Sequence, residues 1–456
     1  MFPRFLAQRL EEALSDTPVV LLTGARQCGK TTLLKTTLVQ GEKTRAGANS
    51  LNSTYLNLDD AVLLGAARSE PRAFLENALR QGNTQGKGAH QENSAQAPLI
   101  IDEVQRAPEL FPALKMLVDE ARGRGETVAG RFLLTGSANP LLVPRLSESL
   151  AGRMEILRLQ PLAQCEIEAG DQGQNTVRPA SASFVDECFD DGAWARRFHT
   201  GLSLPCERDD ILERIVRGGF PEILTRKTAA RRRAWFDAYL TTLLERDVRD
   251  LSAVENLAAL PRLLTLLSSR AANLLNLADV ARGVGVPHST LQRYLGLLEA
   301  TFLVRLLPAW HRETSKRLLK APKVLLGETA LGAHLLKADA KRLADDAFLL
   351  GSLLENFGCT ELLKLASWSE TAPSAFHLRT AKDQEVDLVL EGAGGEVVGF
   401  EFKASTGVSS DDFKGLKVLR ELSEPRWKRG VVLYGGTRAV PFGDRLWALP
   451  ISTLWA

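Results

Sequence analysis

The sequence predicts an α/β protein in which a mainly parallel sheet is followed by a helical region and then by a second strand-rich α/β segment. Three observations predict it. Short apolar runs alternate with helical stretches up to about residue 160, the pattern of a parallel sheet with helices between its strands. Helical spacing dominates from about 209 to 300, and strand-like runs return from 376 onward. A length of 456 residues suggests about three domains, with boundaries at 1–160, 161–325 and 326–456.

Taken in order, the first segment begins with a helical start (Phe5, Leu6, Leu10, Leu14) and the apolar strand PVVLLTG. A helix from Thr31, the strand TYLNLDD, a helical stretch, the strand PLIIDE, a further helix and the strand RFLLTGS follow. Gly82 to Ala97 and Gly170 to Ser183 are polar, without apolar period, and read as exposed insertions rather than domain boundaries. In the middle, Trp235, Tyr239, Leu240, Leu243 and Leu244 recur at helical spacing, as do Leu260, Leu263, Leu264 and Leu267. The last segment reads as the strands FHLRT, EVDLVLE, EVVGFEFKA and GVVLYGG, with a hairpin signal at Gly392-Ala393-Gly394-Gly395.

Composition excludes several classes. Hydrophobic residues are 45% and charged residues 25%, so the chain is not disordered, collagen-like or a small disulfide scaffold. A net charge of +2 excludes coating of nucleic acid by bulk charge, though not a local basic patch. The five cysteines include no CxxC pair, and no apolar run approaches the roughly 18 residues that span a bilayer. The expectation is a cytoplasmic protein without a membrane partner.

The strongest motif is Gly24-Ala25-Arg26-Gln27-Cys28-Gly29-Lys30-Thr31, a full GxxxxGK[ST] between a buried strand and a helical run. Its glycines let backbone N–H groups turn toward a phosphate, and the helix that follows presents its positive end. Lys30 then reaches the β- and γ-phosphates, Thr31 ligates Mg²⁺, and Thr32 continues the loop into the helix. The apolar run before Asp102-Glu103 supplies the partner: Asp102 to hold Mg²⁺ and Glu103 to deprotonate a water. A second acid beside the magnesium acid favours ATP hydrolysis. Ser137 and Asn139, after the next strand, suit either a γ-phosphate sensor or a capping turn. Arg153, with Arg145 nearby, suits either a finger on a neighbouring subunit of a homo-oligomer or a surface position.

TGARQCGKTTL, PLIIDEVQRAPEL, RFLLTGSANPLL and SLAGRMEIL resemble, in order, the blocks of a prokaryotic AAA-type P-loop ATPase family. RGGFPE, YLTTLLERDV, GSLLENFGCTEL and EVDLVLE fit later blocks of the same family. The resemblance implies an AAA/ASCE-type ATPase domain, a winged-helix segment, and a C-terminal domain of unknown function similar to the PD-(D/E)XK restriction-endonuclease fold. One departure is that Glu328 and Ala330 stand where the family tends to have Asp and Gly.

In the middle, Asn276 to Arg282 reads as a short helix, Gly283 to Pro287 as a turn and His288 to Glu299 as a second helix, with a strand from Phe302 to Leu307. This is a helix-turn-helix with a wing. Ser289, Gln292 and Arg293 would face a DNA groove, flanked by His311, Arg312, Lys316, Arg317, Lys320 and Lys323. Packing on the ATPase or on a protein partner is the alternative. The run Arg226, Lys227, Arg231, Arg232 and Arg233 reads more simply as a solvated helix face.

In the nuclease-like arrangement that the resemblance implies, Asp387 and Glu401 bind a second Mg²⁺ or Mn²⁺ and Lys403 activates water. The family pattern adds Glu355 as a further ligand, and Glu385 shares a strand face with Asp387. A degenerate nucleic-acid-binding module, a protein-interaction module and a structural charge network are the competing readings. Two functions therefore stand: an ATPase that switches a winged-helix and nuclease-like module on or near DNA, or an ATP-dependent protein-assembly switch whose nuclease-like domain does not cleave.

Overall fold

The computed structural model describes residues 2–36, 53–85, 97–138, 150–171, 183–199, 201–247, 258–317 and 320–456. Most of both polar insertions, together with Asn139 and Arg145, lies outside the described residues. The chain divides into two compact units. One comprises Arg4–Gln160 with Ala300–Phe302; the other comprises Met1–Pro3, Pro161–Glu299 and Leu303–Ala456.

In the first unit, five strands form a sheet: β1 (Val19–Thr23), β2 (Tyr55–Asn57), β3 (Leu99–Asp102), β4 (Phe132–Gly136) and β5 (Met154–Arg158). Their order is β2-β3-β4-β1-β5, with every pairing parallel. β1, β3 and β4 are buried throughout, as strands covered on both faces must be. The core joins Val19, Leu21, Leu99, Ile101, Phe132 and Leu134 to Phe111, Leu114 and Val118 of the helix Leu110–Gly123. Because β4 lies between β1 and β3, the loops after these three strands leave side by side at the carboxyl edge of the sheet, where open α/β sheets bind ligands. The strand read over TYLNLDD is confined to β2, Tyr55–Asn57.

The second unit has a six-stranded mixed sheet: β8 (Ser374–Arg379), β9 (Glu385–Glu391), β10 (Val397–Lys403), β11 (Trp427–Tyr434), β12 (Val440–Gly443) and β13 (Leu446–Pro450), ordered β12-β13-β11-β10-β9-β8. β9 and β10 form the expected hairpin, closed by Gly395 N–H donating to the Gly392 carbonyl, with Gly395 at φ 82°. β12 and β13 had no counterpart in the sequence reading. Val389, Val397 and Val432 pack against Leu416 and Leu419 of the helix Lys414–Ser423.

The middle region belongs to this same unit. The helices Leu277–Val284 and His288–Ala300 flank Gly285 at φ 78°, and the Asn276 side chain caps the first by accepting from Asp279 N–H. Leu291, Tyr294, Leu295 and Leu298 are buried, while Ser289, Gln292 and Arg293 are exposed. An antiparallel pair follows, β6 (Val304–Leu307) with β7 (Lys323–Leu326), so the expected boundary at 325/326 falls inside a strand.

Candidate nucleotide site and C-terminal carboxylate cluster

The loop after β1 holds the shape that its glycines permit. Gly24 has φ 157° and Gly29 φ 101°, and a Cβ at Gly24 would collide with the Leu159 carbonyl. Gly29 caps the helix Lys30–Leu34. The buried Lys30 donates from Nζ to the carbonyls of Gly24 (2.9 Å) and Ala25 (3.1 Å) and to Ser137 Oγ (3.1 Å). Of the other loop residues, Gln27 and Thr32 are exposed and Arg26 and Gly29 partly so. Cys28 instead turns its thiol into the fold, 3.4 Å from the Leu159 carbonyl.

Thr31 Oγ1 donates to Asp102 Oδ2 at 3.1 Å, so the hydroxyl and carboxylate expected to share magnesium are adjacent. Tyr55 OH donates to the same oxygen at 2.5 Å, and Thr135 Oγ1 donates to Asp102 Oδ1. Burial, and then the Asp102 carboxylate, push the Tyr55 phenol well above its ordinary range, so it remains a donor. Glu103 is in the left-handed region, with φ 59° and ψ 43°. Its Oε1 accepts from Ser137 Oγ at 2.9 Å and its Oε2 from Gln105 Nε2 at 2.5 Å. The residues fit a magnesium–nucleotide complex: a buried ammonium inside the loop, and a hydroxyl and carboxylate side by side beneath it.

Sequence reasoning missed Tyr55, Thr135 and Gln105. Thr135 and Gln105 lay inside quoted motifs, but nothing in their spacing marked them as partners of the acids. Arg153 makes a two-pronged ion pair with Asp119, Nε–Oδ1 2.6 Å and Nη2–Oδ2 3.0 Å, and this holds the Asp119 carboxyl below its usual range. The structure does not bring Arg153 to the Lys30 cluster of its own chain.

In the second unit, Asp387, Glu401, Lys403 and Glu355 do converge, with one residue that the sequence reading placed elsewhere. Lys323, expected on a DNA-facing flank, is fully buried. Its Nζ lies 2.5 Å from Glu355 Oε1, 3.1 Å from Glu385 Oε1 and 3.6 Å from Asp387 Oδ1. Arg317, from the same flank, is partly buried and engaged: it pairs with Glu391 at 2.8 Å and donates to the His311 carbonyl. Arg312, Lys316 and Lys320 remain exposed. The basic flank is thus thinner than expected, because two of its cations hold the fold together.

Asp387 stands where the β9–β10 ladder ends, at Leu388 opposite Phe400, and its Oδ2 accepts the Phe402 N–H at 3.0 Å. Glu401 and Lys403 lie two apart on β10, with Nζ 3.7 Å from Oε2. Burial, and then Asp387, raise Glu355 to about 8 and push Glu401 well above the usual carboxylate range. Lys323 is raised against its own desolvation by Glu355 and then Asp387, so it is an ammonium. Oxygens of Glu355, Glu385 and Asp387 lie within 4.8 Å of one another, a spacing that a metal could use. The cluster as built does not fit a divalent cation, however, because the Lys323 ammonium lies among those oxygens.

Residues 16–168 match the model of an AAA domain. Residues 208–342 and 350–454 match two domains of unknown function, DUF8612 and DUF4143. The chain is 31% identical over 455 residues, 99% of its length, to the uncharacterized proteins Rv2008c of Mycobacterium tuberculosis and Mb2031c of Mycobacterium bovis, and this covers 84% of each. Among solved structures, the Walker-type ATPase PABY2304 of Pyrococcus abyssi matches at 15% identity, over 74% of this chain and 96% of that one, with a TM-score of 0.40. Cdc6p from Pyrobaculum aerophilum matches at 14% identity, over 73% and 92%, with a TM-score of 0.25.

Proposed function

The chain belongs to the family of these uncharacterized mycobacterial proteins and carries an AAA-type P-loop ATPase domain; from that premise we propose that it hydrolyses ATP to switch the state of the unit that holds Pro161–Glu299 and Leu303–Ala456. The observation that carries this reading is the chain of contacts from Lys30 Nζ through Ser137 Oγ to the Glu103 carboxylate. Lys30 would bind the β- and γ-phosphates in place of the Gly24 and Ala25 carbonyls. Magnesium held by Thr31 and Asp102 would supply neutralisation of phosphate charge. Glu103 would take a proton from the attacking water, but both its oxygens are engaged by Ser137 and Gln105. Lys30, on turning to phosphate, would draw Ser137 with it and free Oε1. Arrival of the substrate would thereby release the base.

Lys30→Ala removes the ammonium and should abolish ATP binding; an unchanged ATP affinity in that variant sinks the assignment. Glu103→Gln should bind ATP normally and lose about 10²-fold or more in turnover.

A second reading, action on DNA, is supported by the exposed Ser289, Gln292 and Arg293 on one helix, followed by the β6–β7 pair. Its test is the salt dependence of DNA binding by the full chain. Phosphate contacts predict a steep fall of affinity with salt, weakened in Arg293→Ala. No DNA binding at low salt favours a protein partner that reads the nucleotide state.

A further inference from the structure

We propose that the Lys323 ammonium takes the place of a divalent cation in the C-terminal carboxylate cluster, so that this module holds its acids together without metal. An ammonium has three N–H donors. Three carboxylates face this one, from two separate elements: Glu355 from the helix Ala347–Ala366, and Glu385 and Asp387 from β9, with Lys323 itself supplied by β7. Charge and space both exclude a second cation. A hard divalent ion gathers oxygens at about 2.0–2.6 Å around one point, and Nζ already lies there with like charge.

Nor is Lys323 free to swing out. Its side chain is fully buried, and its backbone is held on both sides, by β6 opposite Leu307 and by a bridge to Leu274. A buried ammonium persists only where acceptors and negative charge face it, and the buried Asp387 with the partly buried Glu355 and Glu385 supply them, as Lys323 supplies the cation that lets these acids stand together. Each therefore accounts for the other, and no metal is needed. Lys403, where the nuclease-like arrangement has its lysine, pairs at the far side with Glu401. The module thus carries two lysines against Glu355, Glu385, Asp387 and Glu401, and Lys323 is the one a metal-dependent site would not contain. The consequence is a C-terminal module without metal-dependent cleavage, in which the cluster locks β7 to the Ala347–Ala366 helix and to β9. This is independent of ATP hydrolysis at Lys30.

The test uses nucleotide-free full-length protein and Mn²⁺ alone as the probe, with free Mn²⁺ read by electron paramagnetic resonance. Wild type and Asp387→Asn should bind Mn²⁺ alike, because any site elsewhere in the chain is common to both. Lys323→Met should gain one Mn²⁺ site, about tenfold or more tighter than any Asp387-dependent binding in wild type. The double variant Lys323→Met/Asp387→Asn should lose it. Two results overturn the proposal: a wild-type Mn²⁺ site that Asp387→Asn abolishes, or a folded Lys323→Met that gains no site. If Lys323→Met does not fold by circular dichroism, Lys323→Gln removes the charge while keeping two N–H donors on a slightly shorter side chain, and the wild-type comparison decides by itself. Loss of ATPase activity in Lys30→Ala leaves these readings unchanged, so this inference and the ATPase reading fail separately.

Discussion

Glu103 combines a left-handed backbone, φ 59°, with a carboxylate gripped from Ser137 and from Gln105. A non-glycine residue in that region is held there by its surroundings, at a cost of about 1–3 kcal/mol. Here the Glu103 N–H donates to Thr135 Oγ1 at 3.2 Å, and Thr135 in turn binds Asp102. If Ser137 links Lys30 to the base, Ser137→Ala should leave ATP affinity within about threefold and lower turnover by roughly 10- to 100-fold. Nucleotide titration and steady-state hydrolysis separate the two. A different residue sets an acid limit on stability. His377 is almost fully buried, its Nε2 lies 3.2 Å from the Ala321 carbonyl, and burial, then Lys323, lower it to about 4. Unfolded histidine, near 6.5, binds more protons than folded His377 between those two values, so stability falls as pH drops through that window. The loss is about 3 kcal/mol in all, and His377→Asn should remove it from denaturant-unfolding curves taken between pH 6.5 and 4.

Packing constraints are sharpest where elements meet. Gly415 opens the helix Lys414–Ser423 against β9, and a Cβ there would run into the backbone carbonyl of Glu385, which cannot move aside. Gly415→Ala should cost about 1–3 kcal/mol in denaturant unfolding. A second buried ion group joins the Ala347–Ala366 helix to its neighbours. Lys364 Nζ is 2.7 Å from Glu361 and 3.5 Å from Glu328, and donates to the Leu162 carbonyl at 3.1 Å. Glu361 accepts from Gln164 N–H and Glu328 from Gly219 N–H. Glu328 thus has a definite partner set, and Ala330 closes against Gly218 at φ 72°. Lys364→Met strands two buried carboxylates and should destabilise by about 3–5 kcal/mol, partly recovered by Glu361→Gln; equilibrium unfolding of the single and double variants checks both.

At the scale of the molecule, the nucleotide residues lie in one unit and the carboxylate cluster in the other. ATP with magnesium at about 100-fold above its dissociation constant should stabilise the unit that holds Lys30 by about 2.7 kcal/mol, and Lys30→Ala should abolish that shift in a thermal melt. Among the described residues no helix is long and apolar enough to cross a membrane. The first unit was largely legible in the sequence. β1, β3 and β4 are continuous apolar runs, and the loop chemistry is contiguous, so Gly24 to Thr31 announces itself without a fold; β5, MEILR, mixes Glu155 and Arg158 into its run and does not read as a strand. β12 and β13 were not legible, because VPFG and LWALP are short, carry proline and alternate too little to mark a strand.

The same contrast separates the two clusters. Local sequence determined that a phosphate loop exists, that an acid pair ends a buried strand, that Asp387 stands on a strand, and that Glu401 and Lys403 share one face of the next. Only the tertiary structure decided what those acids meet. Asp102 meets Tyr55 because β2 pairs with β3, and Asp387 meets Lys323 because β7 carries a lysine into the protein interior. Periodicity records which way a side chain faces along its own strand. It holds no record of which distant strand will bring the opposite charge, and in a buried site that partner sets whether an acid binds a metal, takes a proton or holds an ammonium.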